Sequence, residues 1–157
     1  MCIRDRYLRD KPYVDVAKLS FSFAEEKESF PFDAIKVAVA IGNLVDNAFK
    51  YAGNFSMVTI STTYSDDGSS ITCAVSDDGN GIPSDDLTRI FERFYVVDKG
   101  RSREKGGTGL GLSIVKHIAE AHGGQVWVES KMGLGTTFSF SLPVFSKVPA
   151  TAELIVT

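Results

Sequence analysis

Cysteine is scarce in this chain, with two among 157 residues, Cys2 and Cys73. A disulfide framework is therefore excluded, and an apolar core has to hold the fold. No apolar run approaches the ~20 residues of a membrane-spanning helix, and nothing at the N-terminus has the layout of a signal peptide. Excess charge is lacking too. Lys and Arg number 17 against 20 Asp and Glu, a formal net charge of −3. That balance offers no electrostatic footprint for nucleic acid or for an anionic membrane surface. What is present is ordinary globular material, 43% hydrophobic and 24% charged, enough for one domain and at odds with disorder or coiled coil. The expectation is a soluble, cytoplasmic domain of a reducing compartment.

The opening Met1-Cys2-Ile3-Arg4-Asp5-Arg6 matches one reading frame of a transposase adapter used in sequencing libraries. We read residues 1–6 as such a scar and expect the natural chain to continue upstream. The domain is then assigned to residues 7–146, with a tail at 147–157. Cys73 is left as a lone thiol in a strand-like run, a packing residue.

Residues 13–16 and 19–23 read as two early strands. Asp33 can N-cap a Pro-free apolar run over 34–51, broken by Gly53-Asn54. Strands are expected at 57–64 and 70–76, joined by Asp66-Asp67-Gly68, and a short helix at 83–94. Residues 97–107 are polar and aperiodic, the mark of a mobile loop. A helix over 110–122 is stopped by Gly123-Gly124, and alternating strands follow at 125–130 and 136–142. The sum is an α+β fold: a two-layer sandwich whose mixed, mostly antiparallel sheet carries helices on one face.

Three constellations carry chemistry. On the long helix, NLVDNAFKY (43–51) places Asn43, Asn47 and Lys50 within about 60° of one another at roughly 100° per residue. An amide carbonyl can ligate a hard cation and an ammonium can neutralise phosphate, although a stripe of this kind alone equally describes a solvated helix face. DDGNGIP (77–83) follows a strand, and its glycines let backbone approach a flat ligand while a carboxylate accepts from an exocyclic amine. GGTGLGL (106–112) runs into a helix start, where N–H groups and the helix dipole favour phosphate. It is not a P-loop, because no Lys-Ser/Thr follows the last glycine. It is not G-x-G-x-x-G either, because Leu112 stands at the last position.

In this order, with FERFY (91–95) and GLGTTFSF (133–140) added, the motifs resemble the catalytic ATP-binding domain of bacterial sensor histidine kinases. That family shares the Bergerat fold with gyrase, mismatch-repair ATPases and heat-shock chaperones. The resemblance covers roughly residues 30–143 and implies ATP and Mg²⁺ as cofactors. By position, Asn47 becomes the metal ligand, and Lys50 and Tyr51 contact phosphates or line the nucleotide. Asp77 takes the adenine amine over a floor shaped by Gly79, Gly81 and Ile82. Gly107, Thr108, Gly109, Leu110 and Gly111 cradle phosphate, Thr137 of the closing motif joins the nucleotide site, and Phe91 and Phe94 anchor a lid over about 96–105. Asn43, Lys50 and Arg93 are the catalytic candidates.

Asn43 stands where ATP-hydrolysing relatives carry a Glu that activates water. An amide is a far weaker base, which favours keeping the γ-phosphate for another nucleophile. The implied partners are a histidine phosphoacceptor (dimerisation) domain of the same full-length chain and a downstream response regulator. A serine kinase of the anti-sigma-factor type is the alternative, though such proteins usually lack the FERF element. Two departures stand out. Val96 replaces an Arg that sensor kinases commonly direct at the γ-phosphate, with Arg93, Lys99, Arg101, Arg103 or Lys105 as candidates to take its place. The two histidines, His117 and His122, are not followed by an acid, so the phosphoacceptor is absent and the chain is not expected to phosphorylate itself.

Overall fold

The longest apolar stretch forms helix α1, Ala34–Tyr51, and its start is capped as the sequence suggests. Asp33 Oδ1 accepts from the N–H groups of Ile35 and Lys36, both at 3.1 Å, which satisfies donors the helix cannot. The N–H of Asp33 in turn donates to His122 Nε2 at 3.2 Å, while His122 Nδ1 lies 2.7 Å from the Ile118 carbonyl. His122 thereby ties the start of α1 to the end of a second long helix, a role that no pattern in the sequence suggests.

This is a computed structural model that describes residues 14–25, 32–97 and 107–144. The adapter-like residues 1–6, the tail at 147–157 and the lid cations Lys99, Arg101, Arg103 and Lys105 lie outside the described residues. After a 3-10 turn at Val16–Lys18 come β1 (Leu19–Ser22), α1, β2 (Val58–Tyr64), β3 (Ser70–Asp77) and a one-turn helix α2 (Ser84–Leu87). Helix α3 (Gly111–Ala121), β4 (Val126–Lys131) and β5 (Gly135–Pro143) complete the order. The five strands lie side by side as β1-β2-β3-β5-β4. Only β1 and β2 are parallel; the other pairs are antiparallel. The expected mixed, mostly antiparallel sheet is what forms.

Strand alternation sends Val58 and Ile60, Cys73 and Val75, and Phe138, Phe140 and Leu142 to one face, all buried. There they meet Ala40, Leu44 and Ala48 of α1 and Val115, Ile118 and Ala119 of α3. Burial raises the Cys73 thiol to about 11, so it stays protonated and packs as a small hydrophobe. The opposite face carries Thr59, Ser61, Ser76 and Thr137, and no helix is packed on it among the described residues. No helix among them is long and apolar enough to cross a membrane.

Two local expectations are corrected. The early strand at 13–16 is not formed where described, because the side chain of Asp15 accepts from Ala17 N–H at 3.0 Å and its carbonyl from Lys18 N–H at 3.0 Å. These bonds close a turn in place of a ladder. The helix at 83–94 is α-helical only over Ser84–Leu87. Beyond it, bonds from Arg89, Glu92 and Tyr95 N–H reach back three residues each, to Asp86, Arg89 and Glu92. That is a run of tight turns, which buries Ile90 and sets Phe91 edge-on to Phe138 with ring centroids 6.0 Å apart.

Candidate functional site

One side of α1, the loop after β3 and the start of α3 enclose a cavity of about 430 Å³, in the range of small-molecule sites. Helix α1 supplies Asn43, Asn47, Lys50 and Tyr51, the stripe expected from helical spacing, to its wall. Asn43 Nδ2 donates to the Val39 carbonyl at 2.9 Å. Its Oδ1 lies 3.2 Å from where a Cβ on Gly111 would sit, so the absence of a side chain there brings the α3 start against α1.

The glycine loop after β3 is held by backbone contacts at both ends. Asn80 N–H donates to the Ala52 carbonyl at 2.7 Å, and the Asn80 carbonyl accepts from Gly133 N–H at 2.7 Å. Gly81 has φ +76°, and a Cβ on it would sit 2.3 Å from the Lys131 carbonyl oxygen. Only glycine meets both demands. Gly81 and Ile82 thus reach the cavity, as expected, whereas Gly79 is buried beneath Ala52 and shapes the loop without lining the space.

The two adjacent aspartates part company. Asp78 accepts from Ser56 and Met57 N–H at 2.7 and 3.1 Å, bonds that hold its carboxyl below the ordinary value and pin the approach to β2. Asp77 lies on the core face of the sheet, opposite Thr136 in the β3–β5 register, and accepts from Gly79 N–H at 2.9 Å. Burial raises its carboxyl, against the N–H bonds of Gly79 and Thr136 and with the charge of Asp78 adding to the rise. Asp77 does not line the main cavity. It faces a shallower depression at the sheet end with Ser130, Gly135 and Thr136.

On the α3 side, Gly107, Thr108, Gly109 and Gly111 line the cavity. Leu110 has its N–H 3.4 Å from Thr108 Oγ1 and does not line the cavity. Gly109 has φ +68°, and its carbonyl accepts from Phe94 N–H at 2.8 Å. A Cβ on Gly109 would lie 2.8 Å from Phe94 Cα, so a glycine is needed for the two motifs to meet. Phe94 itself has φ +63°, the sole left-handed non-glycine among the described residues, and its side chain is 72% exposed. It closes the base of the segment between the motifs through its backbone, while Phe91 is the ring that packs on the core.

Of the remaining candidates, one joins Asp77 and two fall elsewhere. Thr137 lines the same depression as Asp77, with its hydroxyl paired to that of Ser76 at 2.8 Å; its neighbour Thr136, 5% exposed and 2.8 Å from Ser130 Oγ, lines that depression from the core face. Arg93 is exposed in the turn before Phe94 and does not reach the cavity. Phe94 stays outside too, because its left-handed backbone directs the ring to solvent. Conversely, Asp46, Asn80, Tyr95, Leu112 and Met132 line the space although the sequence reading gave none of them a role. Tyr95 hydrogen-bonds Asp86 through its hydroxyl and lies beneath the Arg89 guanidinium, 4.6 Å from the ring centroid.

The fold is that of an ATPase domain. The chain belongs to the family described as "Histidine kinase-, DNA gyrase B-, and HSP90-like ATPase", which matches residues 32–146. Among curated relatives, the sensor-like histidine kinase SenX3 of Mycolicibacterium smegmatis is 50% identical over 109 residues, 69% of this chain and 28% of its own length. The sensor histidine kinase WalK of Bacillus subtilis is 43% identical over 111 residues, 71% of this chain and 18% of its own. The chain thus spans less than a third of the length of these relatives. The crystal structure of full-length ShkA in complex with AMPPNP superposes with a TM-score of 0.68 at 27% identity, over 82% of this chain and 26% of that one.

Proposed function

We propose that this chain binds Mg-ATP in the cavity beside α1 and donates the γ-phosphate to a histidine on a separate phosphoacceptor domain. A response regulator would then receive the phosphate. The supporting observation is the convergence of the Asn43–Asn47–Lys50 stripe with the start of α3 across one 430 Å³ space, in a chain whose relatives are sensor histidine kinases. With ATP as donor, the reaction belongs to the cytoplasm.

The donor set fits a metal that arrives with its ligand. No cluster of three or more His, Cys, Asp or Glu able to hold a metal occurs among the described residues, but amide oxygens line the wall. Mg²⁺ is commonly held by one or two protein oxygens plus substrate phosphates. Asn47 is the residue we assign to it, and the ion would supply neutralising charge at the phosphates.

The chain's own contribution is positioning. Helix α3 points its N-terminal N–H groups and dipole at the phosphates, and Lys50 adds a cation. Asn43, a poor base whose Nδ2 is committed to Val39, leaves water unactivated. Attack by a histidine ring nitrogen forms the N–P bond as the bond from the γ-phosphorus to the ADP oxygen breaks. Asp77, through the depression at the sheet end, is assigned to the adenine amine.

Calorimetric titration with ATP, with and without Mg²⁺, tests this reading. We expect saturable, Mg²⁺-sensitive binding that is weakened by Asn47→Ala and by Asp77→Ala. Failure of the folded wild-type chain to bind ATP would overturn it.

A further inference from the structure

Met132 sits in the β4–β5 turn, 59% exposed, yet it lines the cavity. A methionine at a hairpin tip ordinarily swings in solvent, but this turn is fixed against the cavity floor by three contacts. Gly133 N–H donates to the Asn80 carbonyl at 2.7 Å, and Ile82 N–H donates to Ser130 Oγ at 2.8 Å. The third is the close approach of Gly81, whose missing Cβ would lie 3.0 Å from Met132 Cα. The place of the Met132 Cα relative to Gly81 and Ile82 is therefore set by backbone.

The cavity has a direction. Its phosphate end is where Asn43 meets Gly111 at the α3 start. From Asn43 to Tyr51 the helix advances about 12 Å, and beyond Tyr51 the chain turns into the Ala52 carbonyl that holds Asn80. Met132, Gly81 and Ile82 thus stand at the end far from the phosphates and near the base. Resting on the nucleotide reading of this cavity, we propose that Met132 is a base-wall residue: its thioether closes over the outer face of the nucleobase. A polarizable, unbranched side chain suits an aromatic ring and adapts to its seating. Its exposed surface is then buried only when ligand is present, so it adds to affinity without adding to the stability of the free protein.

The test uses the full chain and ATP. Met132→Ala is expected to weaken ATP binding about threefold to tenfold, Met132→Leu to stay within about twofold of wild type, and both to melt as wild type does. With [¹³C-methyl]methionine, the chain has three methyl signals, from Met1, Met57 and Met132, and loss of one in Met132→Leu assigns it. That signal moves on ATP addition by the ring current of the base. Unchanged ATP affinity in Met132→Ala, or a Met132 methyl that does not move, would overturn the base wall while binding lost in Asn47→Ala leaves the nucleotide reading standing. A folded wild type that binds no ATP would overturn both.

Discussion

At the scale of single residues, Asp77 and Asp78 show how one repeated letter acquires two jobs. Asp78 spends its acceptors on Ser56 and Met57 N–H and is structural. Asp77 is half buried with one oxygen on Gly79 N–H, and burial raises its carboxyl. A raised folded value means that the folded state holds the proton more tightly. This group's contribution to stability is then greatest below the ordinary carboxylate range and is lost as pH rises through the raised value. Asp77→Asn removes that slope. The variant is expected to melt at or above the wild-type temperature at pH 7, with the difference vanishing as pH falls below 4. Its ATP affinity is expected to drop roughly tenfold to a hundredfold through loss of a charge-assisted hydrogen bond. Thermal melts over pH 3–8 beside calorimetry at pH 7 check both parts, and a variant less stable than wild type at pH 7 but matched in ATP affinity contradicts them.

At the scale of elements, the lid base is a backbone clasp. Phe94 N–H reaches the Gly109 carbonyl from a left-handed conformation that costs an L-residue roughly 1–2 kcal/mol. Phe94→Gly relieves that strain and Phe94→Ala keeps it, while the mostly exposed ring gives up little burial in either. The glycine variant is therefore expected to be the more stable by about 1 kcal/mol in urea unfolding, the reverse of the order in an ordinary turn or helix. Alanine above glycine would mean that Phe94 is not left-handed. Periodicity made most elements readable: α1, β2, β3, β4 and β5 lie within a residue or two of their expected places. What pattern could not supply was tertiary bonding. His122 joining two helix ends, Asp15 closing a turn in place of a strand, and the three-residue turns after Ser84–Leu87 depend on partners that a period does not name. The site was legible where its motif lies on a helix, because Asn43, Asn47 and Lys50 share a face by arithmetic. On a strand the period is two, so Thr136 and Thr137 face opposite sides of the sheet, and no period says that both reach the depression at its end. Met132 had no signal at all, since its place comes from the contact between two loops.

At the scale of the whole molecule, the proposed reading gives the chain a phosphoryl donor site, and neither of its two histidines is followed by an acid. His122 is committed to Asp33 and Ile118, and His117 is exposed on α3 with no acid after it. Under the proposed reading the domain works in trans or through a joined partner, and its rate depends on charge placed at the γ-phosphate. Val96 lines the cavity at the position where the resemblance implies an Arg. The described wall therefore offers an aliphatic side chain where a cation would stabilise the transferring group. With radiolabelled ATP and a supplied histidine phosphoacceptor domain, we expect label on that domain that is stable to alkali and lost in acid, and none on the chain itself. Val96→Arg is expected to raise the transfer rate tenfold or more, on the order of a single charge-stabilising contact, with ATP affinity nearly unchanged. A cation reaching the phosphate from elsewhere would make the two rates equal, and acid-stable label would assign the chain to serine or threonine transfer.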